Sequence, residues 1–454
     1  MTRSGKQAAQ SWTDDEFGGL DLGDARLNNR ARKLMETFAT KPKASIPEAC
    51  DNWTETQAAY RFMANPEVTW DGILAPHWAR TMERMATQKV ILCIQDTTEL
   101  DFSGQNIDGL GPLNYEARRG MYVHPTYAVS PEREPLGLLD GWMWAREERG
   151  ADGKRPASVK ESERWIEGYE RVAEQATQLP NTRLVYVADR EADMMGMLRR
   201  AAELGTPADW LVRAKHDRCL ADGESKRLWP ETTAGMPLGE ISFIMAGRGK
   251  QRARQVRQQV WAKRVLLRDG KRGKIEATCI VASEVQPPTG IKPVEWRLLT
   301  NRRAETLADA SELIDWYRAR WEIEIFFNVL KNGCEVEELQ LSTMARLERA
   351  LALFMVVAWR IAYLMRKGRT CPDLDATLFF DPDEIRAAYL LNKKKAPAMP
   401  GLNEVLRMVA RVGGFLARKH DGEPGVKTIW RGLQDVQVSA QTIRTLREMG
   451  ALQD

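Results

Sequence analysis

The chain has 454 residues, 43% hydrophobic and 29% charged, with a formal net charge of +4. Those values fit a soluble globular protein of two or three domains. They exclude a membrane-spanning one, because the longest apolar run, Ala350 to Trp359, is cut by Arg360 before it reaches bilayer length. The N-terminus carries no apolar signal core, and Cys50, Cys93, Cys219, Cys279, Cys334 and Cys371 form no C-x-x-C pair. A reduced, cytoplasmic setting is expected.

Residues 1 to about 70 read as a small helical module. Arg26, Arg30, Arg32 and Lys33 share one predicted helix, and Thr54 to Met63 forms another that ends before Asn65-Pro66. Lys41 and Lys43 lie between them and complete a basic face. From about 71 to 370, strands and helices alternate. Val90 to Gln95 is an apolar run of strand length that stops at Asp96-Thr97-Thr98. Met121 to Ser130 and Leu136 to Arg146 read as antiparallel partners around Pro131–Pro135. A helix over 158–178 leads to a second buried strand, Arg183 to Ala188, which stops at Asp189. A helix from about Glu191 to Leu204 and a strand from Trp210 to Lys215 follow. Between about 216 and 305 the helical periodicity disappears. There Val256 to Leu267, Lys274 to Ser283 and Val294 to Thr300 read as strands. No Pro or Gly interrupts Asp309 to Lys331, so this segment reads as one long helix. After about 371 the chain is helical and polar, with a basic triplet at Lys393-Lys394-Lys395.

In open α/β sheets ligands collect beyond the carboxyl ends of strands, where Asp96 and Asp189 are expected to stand. Either aspartate alone is more often a turn former or helix cap. On the downstream helix, at about 100° per residue, Tyr317, Glu324 and Lys331 fall in one row with Arg320 about 60° to the side. Charge runs of this kind are mostly solvated helix faces. Two strand-end aspartates plus Glu324 make a different case, since three converging carboxylates repel one another unless a divalent cation lies between them. Hard oxygen ligands without His or Cys suit Mg²⁺ or Mn²⁺. From Ala246 to Lys274, eleven Lys and Arg face one acid, Asp269, a local charge of +10. This run, including Arg252, Arg254 and Arg257, reads either as a DNA-backbone patch or as a solubilising hairpin; the carboxylate signature tips the reading towards DNA, and the charge has no other evident partner.

Tyr317, Arg320, Glu324 and Lys331 match Y-(2)-R-(3)-E-(6)-K spacing for spacing. With Asp96-Thr97-Thr98 and Asp189-Arg190-Glu191-Ala192-Asp193, the chain resembles the DDE transposases of bacterial insertion sequences. Within them it resembles the insertion-sequence-four group, which includes the Tn-five transposase. Leu22-Gly23-Asp24, Ala59-Tyr60-Arg61-Phe62, Trp296-Arg297-Leu298-Leu299-Thr300 and Gly413-Gly414-Phe415 extend the likeness nearly end to end. Ile325-Phe326-Phe327-Asn328 replaces a more polar run, and the tail after Gly368 differs. The resemblance implies an α/β, ribonuclease-H-like core over 71–370 with a β-rich insertion at about 216–305. It also implies a helical DNA-end-binding domain over 1–70 and a helical, dimerising C-terminal domain over 371–454.

For the site, the resemblance implies two Mg²⁺ ions, replaceable by Mn²⁺, held by Asp96, Asp189 and Glu324. Tyr317, Arg320, Lys331 and Arg213 would contact phosphate, Trp296 an extruded base, and Arg30 and Arg61 the transposon end. The implied reaction is nicking, hairpin formation and resolution, then strand transfer into target DNA. It would be carried out by a homodimer on double-stranded DNA in a bacterial cytoplasm at the nucleoid, with no membrane and no nucleotide cofactor. A ribonuclease-H-like nuclease without strand transfer and a non-catalytic DNA-binding derivative are the alternatives.

Overall fold

The computed structural model describes residues 12–149, 161–222, 226–245, 253–270 and 272–452. Five helices come first: α1 (Trp12–Phe17), α2 (Ala25–Thr40), α3 (Ile46–Ala49), α4 (Trp53–Ala64) and α5 (Trp70–Ala86). Their starts are set by side chains that accept the orphan N–H groups of the first turn: Asp24 for α2, Ser45 for α3, Asn52 for α4 and Thr69 for α5.

The strands β1 (Val90–Gln95), β2 (Thr98–Asp101), β3 (Gly111–Pro112), β4 (Arg119–Val129) and β5 (Pro135–Trp144) follow, then α6 (Glu161–Gln178) and β6 (Arg183–Ala188). After β6 come α7 (Met195–Glu203), β7 (Asp209–Arg213), α8 (Leu228–Thr233), β8 (Gly239–Met245), β9 (Arg254–Arg268), β10 (Lys274–Glu284) and β11 (Glu295–Thr300). The last helices are α9 (Leu307–Arg318), α10 (Trp321–Asn328), α11 (Met344–Thr370), α12 (Pro382–Leu391), α13 (Leu402–Val412) and α14 (Val426–Glu448).

All the strands belong to one sheet. β5, β4 and β1 run antiparallel, and β6 and β7 join β1 in parallel. That order, three antiparallel strands and then two parallel ones, is the ribonuclease-H-like arrangement. The insertion does not form a separate body. β11 pairs antiparallel with β7, and β10, β9 and β8 continue the same sheet outward. β2 and β8 lie outside the sequence-derived strands, and α8 interrupts a segment expected to hold no helix.

The buried strands have two apolar faces, which is why they read as unbroken apolar runs. Leu92, Ile94, Val185, Val187 and Leu211 point into one core with α9, α10 and α11. Ile91, Cys93, Leu184, Tyr186 and Val212 point into the other, where Trp165, Tyr169 and Val172 of α6 and Met197 and Leu198 of α7 cover them. The first core extends without a break into the N-terminal helices. Phe38 of α2 stacks on Phe354 of α11 at 4.8 Å, and Arg349 of α11 donates to the Met63 carbonyl at 3.0 Å. α1 is anchored by Glu16, which pairs with His77 at 2.5 Å and Arg84 at 2.9 Å, both on α5. His77 Nε2 accepts from the Leu138 N–H at 3.0 Å, so its Nδ1–H donates to Glu16 and the ring is neutral.

Candidate active site

β1 and β6 lie side by side with Gln95 opposite Ala188, so Asp96 and Asp189 leave the sheet together at adjacent strand ends. Neighbouring strands are about 4.8 Å apart. Each aspartate is held by a local backbone bond: Thr97 N–H donates to Asp96 at 2.9 Å, and Glu191 N–H donates to Asp189 at 2.8 Å. Beneath Asp96, buried Gln95 accepts from Tyr186 Oη at 2.7 Å and donates to Thr126 at 3.2 Å. α6 approaches this amide at Gly168, where a Cβ would fall 1.9 Å from the Gln95 Nε2.

The third acid comes from α10. The expected single helix from Asp309 to Lys331 is corrected. It breaks at Ala319–Arg320, where the Glu322 and Ile323 N–H groups bond back only three residues, and it ends in a π-helical turn over Val329–Gly333. The break follows from tertiary demands on opposite sides of the helix. Arg320 ion-pairs with Asp96 and reaches Glu324 at 3.5 Å. Glu322 turns the other way and is clasped by Arg366 of α11. The Glu322 side chain is 3% exposed and that of Glu324 is 42% exposed, so only Glu324 is free to face the crevice.

The straight row of Tyr317, Glu324 and Lys331 is therefore reset by the break and the π turn. Tyr317 lies close enough to Arg320, Arg213 and Asp189 to feel their charges, and burial raises its phenol above the usual range. Lys331 donates to the Glu99 carbonyl at 2.8 Å and pairs with Glu337 at 3.2 Å. Burial pushes the Asp96 carboxyl up to about 7; Arg320 opposes this, while Asp189 and Glu324 add to it. Among the described residues no group of three or more His, Cys, Asp or Glu side chains is arranged to hold a metal ion as it stands. In this structure the guanidinium of Arg320, bridging Asp96 and Glu324, supplies the positive charge.

Trp296 stands on β11 two residues before Leu298, the partner of Arg213, and therefore beside the exit of β7. Its ring stacks on Phe243 of β8 at 5.4 Å, and the Arg318 guanidinium lies 4.9 Å from the Phe243 ring and 5.8 Å from the Trp296 ring. β8 is three strands from β11 in the sheet, about 14 Å if the sheet were flat. The insertion curls over to bring the two rings together. Neither Phe243 nor Arg318 emerged from the sequence. An aromatic on an alternating edge strand was the only signal.

The outlying basic residues are largely occupied. Arg30 ion-pairs with Glu55, and exposed Arg61 bonds Gln57 at 3.2 Å. Arg254 is held by Glu284, with a second bond at 2.9 Å, and Arg257 pairs with Glu240 at 3.3 Å. Arg252 lies outside the described residues. The reading that the basic run lacks a partner within the chain is corrected. Glu231 also pairs with Lys263 at 2.6 Å and Glu276 with Arg264 at 3.0 Å, whereas Asp269, the acid within the run, is taken by Arg199 outside it at 2.7 Å.

Three family models match the chain in order: "Transposase DNA-binding" over residues 9–68, "Transposase DDE domain" over 135–359 and "Transposase Tn5 dimerisation domain" over 356–451. The chain belongs to the DDE transposases. Within them it is similar to the Tn5 transposase, and the family assigns it a metal-dependent transposase activity on DNA with a dimerisation segment at the C-terminal end. The DDE match begins after Asp96, whose place beside Asp189 comes from the β1–β6 register. Among solved structures, the piggyBac transposase synaptic complex with hairpin DNA covers 98% of this chain and 81% of its own, at 9% identity and a TM-score of 0.38. That likeness is too distant to carry an argument. No helix among the described residues is long and apolar enough to cross a membrane.

Proposed function

We propose that this transposase catalyses cut-and-paste transposition: nicking at the element's ends, hairpin formation and resolution, and strand transfer into target DNA. The observation that carries the reading is the approach of Asp96, Asp189 and the Glu324 helix, with Arg320 bridging Asp96 and Glu324.

The donor set fits a hard divalent cation. All three side chains offer carboxylate oxygens, and Asp96, whose carboxyl is raised chiefly by burial, stands close enough to Asp189 and Glu324 for both to raise it further against the pull of Arg320. Asp96, Asp189 and Glu324 would hold Mg²⁺, two ions in this reading, with Mn²⁺ able to substitute. When bound, the metal activates the attacking oxygen and stabilises the leaving one. The chain's own residues do the rest. Arg320 offers a planar fork to a phosphate, Lys331 a point charge, and Tyr317 a hydroxyl, with Arg213 beside it. Trp296 supplies a face for a base drawn out of the duplex, offsetting the few kcal/mol that extrusion costs. Arg30 and Arg61 of the N-terminal helices hold the transposon end. A homodimer on double-stranded DNA fits the dimerisation match over 356–451.

The test is incubation with Mg²⁺ and duplex DNA carrying the flanking inverted repeats. Hairpin-ended products and joined target DNA are expected from the wild type, and neither from Glu324→Gln. Cleavage without joining would reduce the protein to a nuclease. End binding without cleavage under Mg²⁺ or Mn²⁺ would make it a non-catalytic derivative.

A further inference from the structure

Asp193, four residues beyond Asp189, has a side chain with no solvent exposure. Its carboxylate accepts from the Lys215 N–H at 2.6 Å, the His216 N–H at 3.0 Å and the Arg218 Nε at 3.1 Å. Arg218 also ion-pairs with this carboxylate and donates to the Asp193 carbonyl at 2.6 Å. A buried carboxylate so fully satisfied has a specific job. The β7–β11 ladder still holds Ala214, whose N–H donates to the Arg297 carbonyl at 2.7 Å. The next two amides are taken by Asp193 instead, so the chain leaves the sheet there and turns beside β6. Ala188, next to Asp189, pairs with Val212, so the captured residues lie just past the strand end that carries the second aspartate. Lys215 is exposed at that spot and makes no ion pair among the described residues.

We propose that Asp193 is a positioning residue that fixes the exit of β7, and that Lys215, presented by it, contacts a DNA phosphate beside Asp189. The inference rests on the reading of Asp189 as part of a DNA-cleaving site. The clamp explains why an acid stands four residues after the second aspartate: it ties the turn bearing Asp189 to the strand bearing Arg213, so that the cation and the carboxylate keep a fixed separation.

The experiment measures equilibrium binding of a labelled random-sequence duplex over a salt series, the rate of nicking of an end-bearing duplex with Mg²⁺, and thermal melting. The variants are Lys215→Ala, Asp193→Asn and the double substitution. Lys215→Ala should lower the slope of log affinity against log salt by about one, the loss of a single phosphate contact. Asp193→Asn should lower it equally, and the double variant should lose no more than either single one. A full slope in Lys215→Ala would overturn the phosphate contact. A lower melting temperature with an unchanged slope in Asp193→Asn would make the clamp structural only. If Asp193→Asn does not fold, Arg218→Lys, which keeps the charge but loosens the clamp, must show the same reduced slope or the positioning role falls. Wild-type protein that binds with the expected slope but nicks no DNA with any divalent ion would overturn the functional reading instead and leave the contact standing.

Discussion

The burial of Asp96 makes a pH prediction for the metal-free protein. Its carboxyl titrates near 3.8 when unfolded and at about 7 when folded. A carboxyl raised on folding binds its proton more tightly in the native state. Its stabilising contribution is therefore complete below about pH 4 and is lost as pH rises through about 7. Linkage sets the slope at about 1.4 kcal/mol per pH unit while only the folded state is protonated, roughly 4 kcal/mol in all. At roughly 2 °C per kcal/mol for a large domain, that is a difference of about 8 °C. Asp96→Asn removes the titration. It also leaves Arg320 without its ion-pair partner, but a guanidinium stays charged throughout, so that cost is a constant offset. The assay is thermal melting of wild type and Asp96→Asn in EDTA from pH 4 to pH 8. The gap between the two should move by several degrees in favour of the variant as pH rises, and excess Mg²⁺ should flatten the wild-type curve. A gap that stays constant across the range would show that Asp96 titrates as an exposed carboxyl, and the argument from its burial would fail.

The two acids of α10 should separate cleanly. Glu322→Ala strands Arg366 and should cost about 3 kcal/mol of stability, read by denaturant melting, whereas Glu324→Gln should melt nearly as wild type while nicking ceases. Phe243→Ala should weaken binding to DNA with an unpaired base by roughly fivefold, about 1 kcal/mol, and leave intact random duplex unaffected in a gel-shift titration. Arg257→Ala should reduce the salt slope of duplex binding by about one, while Arg254→Ala should lower the melting temperature with the slope unchanged, because Arg254 serves Glu284. Burial raises the Glu16 carboxyl, but the hydrogen bond from His77 and the Arg84 ion pair hold it below its usual range. Its stabilisation is present above the unfolded carboxyl range and lost as pH falls through the depressed folded one. The melting advantage of wild type over Glu16→Gln should shrink accordingly on acidification.

The sequence disclosed most where one physical cause dominates. β1 and β6 are buried on both faces, so their apolar runs gave the observed bounds, and their ends placed Asp96 and Asp189. β2 and β8 were hidden because one is four residues long and polar and the other an edge strand with every second residue exposed. The break at Ala319–Arg320 had no local signal, since neither Gly nor Pro stands there. It arises because Arg320 reaches Asp96 while Glu322 reaches Arg366, and both partners are distant in sequence. The basic run misled for the same reason. Glu231, Glu240, Glu276 and Glu284 all lie outside it, yet the pairing of the strands and the packing of α8 set them against its cations. The N-terminal helices read as a small module of their own, but they share a core with α11, so deleting residues 1–70 would expose Phe354 and its neighbours.

One sheet carries both the carboxylates and the aromatic stack. From β6, which delivers Asp189, the ladder runs unbroken through β7 to β11, which delivers Trp296. No hinge lies on that path. Whatever Trp296 grips is located relative to Asp189 by backbone hydrogen bonds, as two marks on one ruler, and not by the closing of one body onto another. Slack can enter only from the far rim, where β8 is held on a single side by β9. Opening that rim would release Phe243 from Trp296 without moving the carboxylates, so under the proposed function loading of the nucleic acid and alignment of the scissile bond would be separate events.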